Sequence, residues 1–361
     1  MGSCGQLDYP LPPESIAQEP TAERDGSRLL IVDRQTRQLS HHRFHELPDL
    51  LPEQCTLFRN NARVRKSRLY ARRPKGGAVE CLLLRPGNTA GQWHCLLKPG
   101  RKLPPGQNFG IKGVFTSTVL DKQETGESLI ELHIEDGHSL DWLCQHYGKL
   151  PLPPYIQRTE TRDPSADDER YQTVYADPSK TVAAAAPTAG LHFTPQVLQA
   201  LRERALPIYD LTLHIGLGTF KPIATENIAD HPMFSEYYEI PAETCQALLD
   251  DDSRPRLAVG TTAVRAMEDF SRKRKGGSAQ ISERSNFCAE ADLFLYPPTV
   301  IGSVDMLLTN FHLPRSTLLC LVAAFLSPGE TDGLDWLKAI YQQAIERGYR
   351  FYSYGDAMLI L

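Results

Sequence analysis

Apolar and polar positions divide the chain into two textures. Between about Val64 and Leu150, short apolar runs recur between Gly and Pro punctuation. They are Ala78–Leu84 before Pro86-Gly87, Trp93–Leu97 before Lys98-Pro99-Gly100, Gly113–Leu120 and Ser128–Ile134. Strands at this spacing predict a small barrel or sandwich. The stiff Leu150-Pro-Leu-Pro-Pro154 stretch suits its exit. After about Tyr155 strand and helix patterns alternate, which predicts α/β architecture. Thr194-Pro195 reads as an N-cap and a first helical residue, with the helix running to about Arg204. Leu211–Ile215 alternates as a strand and ends at Gly216. Leu257–Val259 reads as a strand, followed by Gly260-Thr-Thr262 and a helix from Ala263 to about Phe270. Ser316–Leu326 reads as an apolar helix. Leu334, Leu337, Tyr341, Ala344 and Ile345 give a further helix its buried face.

Upstream, proline-rich Asp8–Pro20 predicts an extended arm, Arg28–Asp33 a strand and Thr36–Ser40 a turn. The low-complexity Ser271–Arg284 segment predicts a mobile loop. The expected architecture is therefore an α/β main domain, discontinuous over 1–60 and 151–361. An all-β, barrel-like domain is expected to be inserted at 61–150.

With 361 residues, the length suggests about two domains. The net charge of −5 excludes a wholesale basic nucleic-acid binder but leaves room for a local basic patch. Eight cysteines show no C-x-x-C or zinc-finger spacing, which predicts reduced thiols. The first residues lack the apolar core of a signal peptide. The longest apolar stretch, Leu318–Leu326, is about half a membrane span. These features predict a soluble, cytoplasmic protein with no membrane association.

Standard nucleotide signatures fail. After Gly216-Leu-Gly218 the third glycine of G-x-G-x-x-G would fall at Lys221, and no P-loop, H-E-x-x-H or G-x-S-x-G occurs. Five polar loops marked by Gly or Pro stand out instead: Pro187–Thr194, His214–Phe220, Val259–Arg265, Thr309–Ser316 and Tyr352–Asp356. Loops at strand ends gather on one edge of an α/β sheet, so a shared ligand pocket is expected.

The same loops carry a resemblance. Pro151–Ile156, Arg170–Ala176, Ala186–Thr194, His214–Phe220, Val259–Thr262, Leu308–Pro314 and Ser353–Met358 resemble the S-adenosylmethionine:tRNA ribosyltransferase-isomerase family of the queuosine pathway. The similarity runs from Asp8-Tyr-Pro-Leu-Pro-Pro13 to the C-terminus. It implies that the ribosyl unit of S-adenosylmethionine moves onto 7-aminomethyl-7-deazaguanine in the tRNA wobble position. Adenine and methionine leave, and epoxyqueuosine forms. It further implies that S-adenosylmethionine is a consumed substrate and not a cofactor. The partners expected are that tRNA and S-adenosylmethionine, with no stable protein partner. Three places depart from the family pattern. Asn60-Asn-Ala-Arg-Val64 replaces Asn-Asp-Thr-Arg-Val, His231-Pro-Met-Phe-Ser-Glu236 lacks the second His of its segment, and Tyr296-Pro-Pro298 replaces Tyr-Pro-Gly.

The chemistry needs a base near the sulfur-bound ribosyl carbon, because positive sulfur makes that carbon acidic. His192, His214 or the substrate's own amine could serve. Asp356 or Tyr354 could protonate departing adenine. Gly260-Thr261-Thr262, as a helix start, could cradle the methionine carboxylate. Thr188, Gly190, Gly216, Gly218 and Thr219 are further substrate-binding candidates, as are Arg265, Asn310 and His312. Each has a plainer reading as a turn, cap or structural residue. Eight basic residues and no acidic one lie between Arg59 and Lys75. Of these, Arg63, Arg65, Lys66, Arg68, Arg72 and Arg73 are expected to bind RNA. No chelating set accompanies His41, His42 and His45, so no metal is expected. Rival readings are a nucleoside or nucleotide hydrolase and a non-enzymatic tRNA-binding protein.

Overall fold

The computed structural model describes residues 3–123, 126–158, 165–216, 222–233, 235–250, 253–276 and 285–361. The chain divides into two compact units. One comprises Met1–Arg63, Pro154–Lys180 and Ala186–Leu361, and the other Val64–Pro153 and Thr181–Ala185. The strands run in chain order as β1 (Arg28–Val32), β2 (Leu39–Arg43), β3 (Thr56–Asn60), β4 (Arg63–Val64), β5 (Arg68–Arg72) and β6 (Ala78–Pro86). Then come β7 (Gln92–Lys98), β8 (Asn108–Ile111), β9 (Phe115–Lys122), β10 (Ser128–Ile134), β11 (Gly148–Lys149) and β12 (Thr181–Ala183). The last are β13 (Ile208–Leu213), β14 (Glu236–Ile240), β15 (Arg256–Val259), β16 (Phe287–Ala291), β17 (Met306–Asn310) and β18 (Ala357–Ile360).

The first unit is built on a nine-stranded sheet ordered β16-β14-β13-β3-β15-β17-β18-β1-β2. Its centre, β13, β3, β15 and β17, is parallel. β18 runs antiparallel to β17 and parallel to β1. Every residue of β3 and β17 is buried, as strands covered on both faces require. Leu57, Leu257, Leu308 and Leu359 pack with Val197, Leu198 and Leu201 of the Pro195–Glu203 helix. That helix starts as its sequence predicts: Thr194 Oγ1 accepts the Val197 N–H at 3.2 Å. Ser316 caps the Thr317–Leu326 helix in the same way, through Leu319 N–H at 3.1 Å.

Four local expectations need correction. The Asp33 carboxylate accepts the N–H groups of Gln35 and Thr36 at 2.8 and 3.0 Å. This Asx-type turn falls before Thr36–Ser40, and Leu39 and Ser40 already belong to β2. The helix after β15 starts at Thr261 and runs to Lys275, so Ser271–Lys275 is helical and not loop. Two i,i+4 ion pairs, Arg272–Glu268 at 2.8 Å and Lys273–Asp269 at 2.5 Å, support that extension. Residues 277–284 of the expected loop lie outside the described residues. In the Gly333–Glu346 helix the buried face is Leu337, Ile340, Tyr341 and Ala344, while Leu334 and Ile345 sit at its margin.

In the second unit, strands β5-β6-β7-β10-β9-β8 are antiparallel neighbours, and Arg72 of β5 pairs with Gly110 of β8. That pairing closes a six-stranded barrel and removes its free edges. Leu69, Val79, Cys81, Phe109, Phe115, Val119 and Ile130 fill it. An unanticipated helix, Leu140–Tyr147, adds Leu143 and Cys144 to the same core. The fold is thus mixed α/β with a barrel-like domain. All eight cysteines are free thiols. Among the described residues no helix is long and apolar enough to cross a membrane.

Candidate active site

β15 and β17 are parallel neighbours, with Val259 opposite Leu308 as their last paired residues. Beyond their carboxyl ends the chain forms the Gly260-Thr261-Thr262 helix start and the Asn310-Phe311-His312 segment. A pocket of about 40 Å³ lies there, and Thr188, Gly260, Thr261, Thr262, Asn310 and His312 all border it. This is where open α/β sheets hold ligands. One water needs roughly 10–15 Å³, so the pocket accepts a small end group and not a whole nucleoside. Gly260 adopts φ +91°, a conformation that any L side chain would strain. Tyr352, also on the wall, adopts φ +76° while its N–H bonds to Phe311 O at 3.1 Å. Strain of this kind collects at ligand sites.

His192 stands behind this wall. Its Nδ1 lies 2.7 Å from Ser27 Oγ and its Nε2 3.1 Å from Asn310 Nδ2, with Phe44 against the ring. Burial, reinforced by Arg350, Arg24 and Arg170, pushes its pKa down to about 3. The imidazole is therefore neutral with both nitrogens engaged. His312 is likewise buried and pushed down to about 3, with Nε2 2.9 Å from Thr309 Oγ1.

The remaining candidates are spread around the pocket. The Asp356 carboxylate accepts backbone N–H groups of Arg28 and Arg350 at 2.9 and 2.8 Å, while burial raises its pKa. Tyr354 donates its hydroxyl to Asp167 at 2.8 Å, and burial raises that phenol further. Neither acidic group borders the pocket. Gly190 lies in the Thr188–His192 turn, where a Cβ would come within 2.0 Å of the Tyr175 hydroxyl. His214 is half-buried, edge-on to Tyr237 at 4.9 Å, next to the wall residue Ile215. Gly216 N–H bonds to Glu236 Oε1 at 3.0 Å. Gly218 and Thr219 lie outside the described residues. Arg265 forms a buried ion pair with Glu236 and donates to Ala291 O at 3.1 Å.

Glu236 was legible only in phase: along β14 it falls in step with buried Tyr238 and Ile240. The Asn61 departure is also buried, its Oδ1 accepting the Thr212 hydroxyl at 2.7 Å. Neighbouring Ala62 is fully buried. Phe234 lies outside the described residues.

The basic segment is not one free surface. Arg59 is buried, paired with Asp210 at 2.6 Å and lies over the Tyr175 ring, which removes it from phosphate binding. Arg63 is exposed. In the barrel unit, Arg68 pairs with Glu80, and Arg65 lies 3.5 Å from Asp141 and over Trp93. Lys66 is half-buried. Arg72 and Arg73 border a cavity of about 1040 Å³ with Lys98, Lys112 and exposed Tyr70.

A mixed α/β unit with a pocket at the carboxyl edge of its sheet, accompanied by a closed barrel, is the frame of an enzyme that handles a small molecule. A family model described as queuosine biosynthesis protein matches residues 4–360, and the chain belongs to that family. A relative from Thermotoga maritima, named S-adenosylmethionine:tRNA ribosyltransferase-isomerase, is 40% identical over 99% of both chains. One of the same name from Pelobacter propionicus is 42% identical over 98% of both. The crystal structure of a Thermotoga maritima S-adenosylmethionine tRNA ribosyltransferase superposes with a TM-score of 0.53 at 33% identity. That match covers 99% of this chain and 100% of the other.

Proposed function

We propose that this chain transfers and isomerises the ribosyl moiety of S-adenosylmethionine onto 7-aminomethyl-7-deazaguanine in the wobble position of tRNA. Epoxyqueuosine-tRNA forms, with release of adenine and methionine. The observation that carries this reading is the near-full-length match to relatives named for this reaction. The pocket at the Gly260 and Asn310 loops suits one end of the sulfonium substrate. His192, with both ring nitrogens engaged, does not serve as the base, and His312, whose pKa burial pushes down to about 3, is too weak a base for the task. His214 and the amine of the tRNA base are the groups left to take the proton. S-adenosylmethionine is consumed, and no further cofactor takes part. Arg72 and Arg73, beside Lys98 and Lys112, suit phosphate contact. The barrel unit is an insertion in the α/β unit, and the enzyme acts in the cytoplasm. Incubation of labelled S-adenosylmethionine with tRNA bearing the deazaguanine precursor tests the reading. Stoichiometric adenine and methionine release supports it; nucleoside hydrolysis, or binding without turnover, overturns it.

A further inference from the structure

The orientation of the Asn310 amide follows from its neighbours. Its Nδ2 faces His192 Nε2 at 3.1 Å and the carbonyl oxygen of Asp356 at 3.4 Å. A backbone carbonyl only accepts, so the group facing it is the NH₂. His192 Nε2 is then the acceptor, and Nδ1–H donates to Ser27 Oγ. The neutral state that burial imposes on His192 agrees with this tautomer. Asn310 is 2% exposed, and its Oδ1 has no partner among the described residues. Neither His192 nor Asp356 borders the pocket, whereas Asn310 does. The NH₂ side therefore faces His192 and Asp356, which lie off the pocket, and Oδ1, itself buried, is left as the unpartnered acceptor of this wall residue.

Opposite stands a donor. Two residues beyond the Val259–Leu308 pair, the adjacent chains reach Thr261 and Asn310. Thr261 opens a 15-residue helix, whose first N–H groups and positive dipole end favour an anion. Neighbouring strands lie about 4.8 Å apart. A ligand group that carries an acceptor group and a donor group on one carbon bridges such a gap. Full negative charge suits the helix start, and the roughly 40 Å³ of room suits a small head group.

We propose that this pocket takes the α-amino carboxylate end of S-adenosylmethionine, with the carboxylate on the Thr261 helix start and the ammonium on Asn310 Oδ1. His192 is the positioning residue that aims Asn310. The assignment rests on the ribosyltransferase reading and deepens it.

Equilibrium binding to the full chain, read by calorimetry without turnover, tests it. Binding of S-adenosylmethionine itself comes first, to the chain alone and to the chain saturated with tRNA that lacks the reactive aminomethyl group: if it binds in neither case, the ribosyltransferase reading fails. Charged hydrogen bonds of this kind correspond to roughly tenfold or more in affinity each. Loss of about that size is expected for the decarboxylated analogue and for the deaminated analogue. S-inosylmethionine, altered only on the base, is expected to bind within about threefold of the parent. The proposal is overturned if inosine substitution costs more than loss of the amine, because an adenine edge would then occupy the site. Asn310→Leu is expected to erase the preference for the aminated ligand. His192→Leu is expected to reduce that preference, and His192→Gln, which keeps an acceptor, to restore it. A preference unchanged in folded Asn310→Leu also overturns the proposal, and the analogue series on the unaltered chain decides it even if variants do not fold.

Discussion

Glu236 on β14 and Arg265, one turn into the Thr261–Lys275 helix, form an ion pair shielded from solvent, with side-chain exposures of 4% and 7%. The same carboxylate holds the Gly216 N–H. Removing one partner of a buried pair strands the other charge and typically costs about 3–5 kcal/mol. Glu236→Leu or Arg265→Met should therefore lower the urea midpoint strongly. The double variant should lose less than the sum of the two. A simple sum in the unfolding curves would show that the charges do not depend on each other.

His192 and His312 make folding sensitive to acid. Their pKa values fall from 6.5 to about 3 on folding. Between those limits the unfolded chain binds protons that the folded chain refuses. Stability is therefore full above about pH 6.5 and declines as the pH drops toward 3, by at most ~1.4 kcal/mol per pH unit for each histidine. Denaturant titrations at several pH values should show a shallower decline for His312→Gln than for the unaltered protein. Equal slopes would contradict the neutral, buried assignment.

Phosphate contacts reveal themselves through salt. Arg72→Ala and Arg73→Ala should each weaken tRNA binding and reduce the slope of log affinity against log salt by about one unit. Arg59→Ala should leave that slope unchanged, because Asp210 and Tyr175 already hold the guanidinium. Filter-binding measurements over a salt series separate the two classes.

Activity should survive thorough chelation. Among the described residues no three His, Cys, Asp or Glu side chains gather closely enough to share an ion. Of the loop histidines, His192 has both ring nitrogens engaged in hydrogen bonds and His312 has Nε2 engaged. Turnover that disappears with chelator and returns with one divalent ion, while tRNA folding is kept constant, would refute this.

Much of this protein is legible where a local signal carries the structure. Thr194-Pro195 and Ser316 mark their helices because capping acts within three residues. Ser128–Ile134 is β10 to the residue, since its alternation survives intact. The Leu140–Tyr147 helix is only eight residues long, with Leu143 and Cys144 its fully buried positions, too short a run for a helical period to stand out, so only Ser139 announces it. β5 hides in a basic segment although its burial alternates. The pocket residues Thr188, Thr261 and Asn310 were recognisable as strand-end loops. The partners of His192 and Asp356, by contrast, come from Ser27, Arg28 and Arg350. Long-range contacts of that kind leave no periodic trace, so the engagement of both groups emerges only from the fold.

β18 lies inside the sheet, between β17 and β1. During synthesis β1 leaves the ribosome long before it, for Arg28 waits 328 positions for its bond to Asp356. Until those residues arrive, β1 and β17 face a slot one strand wide. Both strands then present unmatched backbone groups and the apolar flanks of Leu29 and Leu308. Pairings so distant along the chain close slowly. The nascent α/β unit thus stays open along its middle until late in translation, and a chain halted before residue 357 would be split there rather than merely shortened.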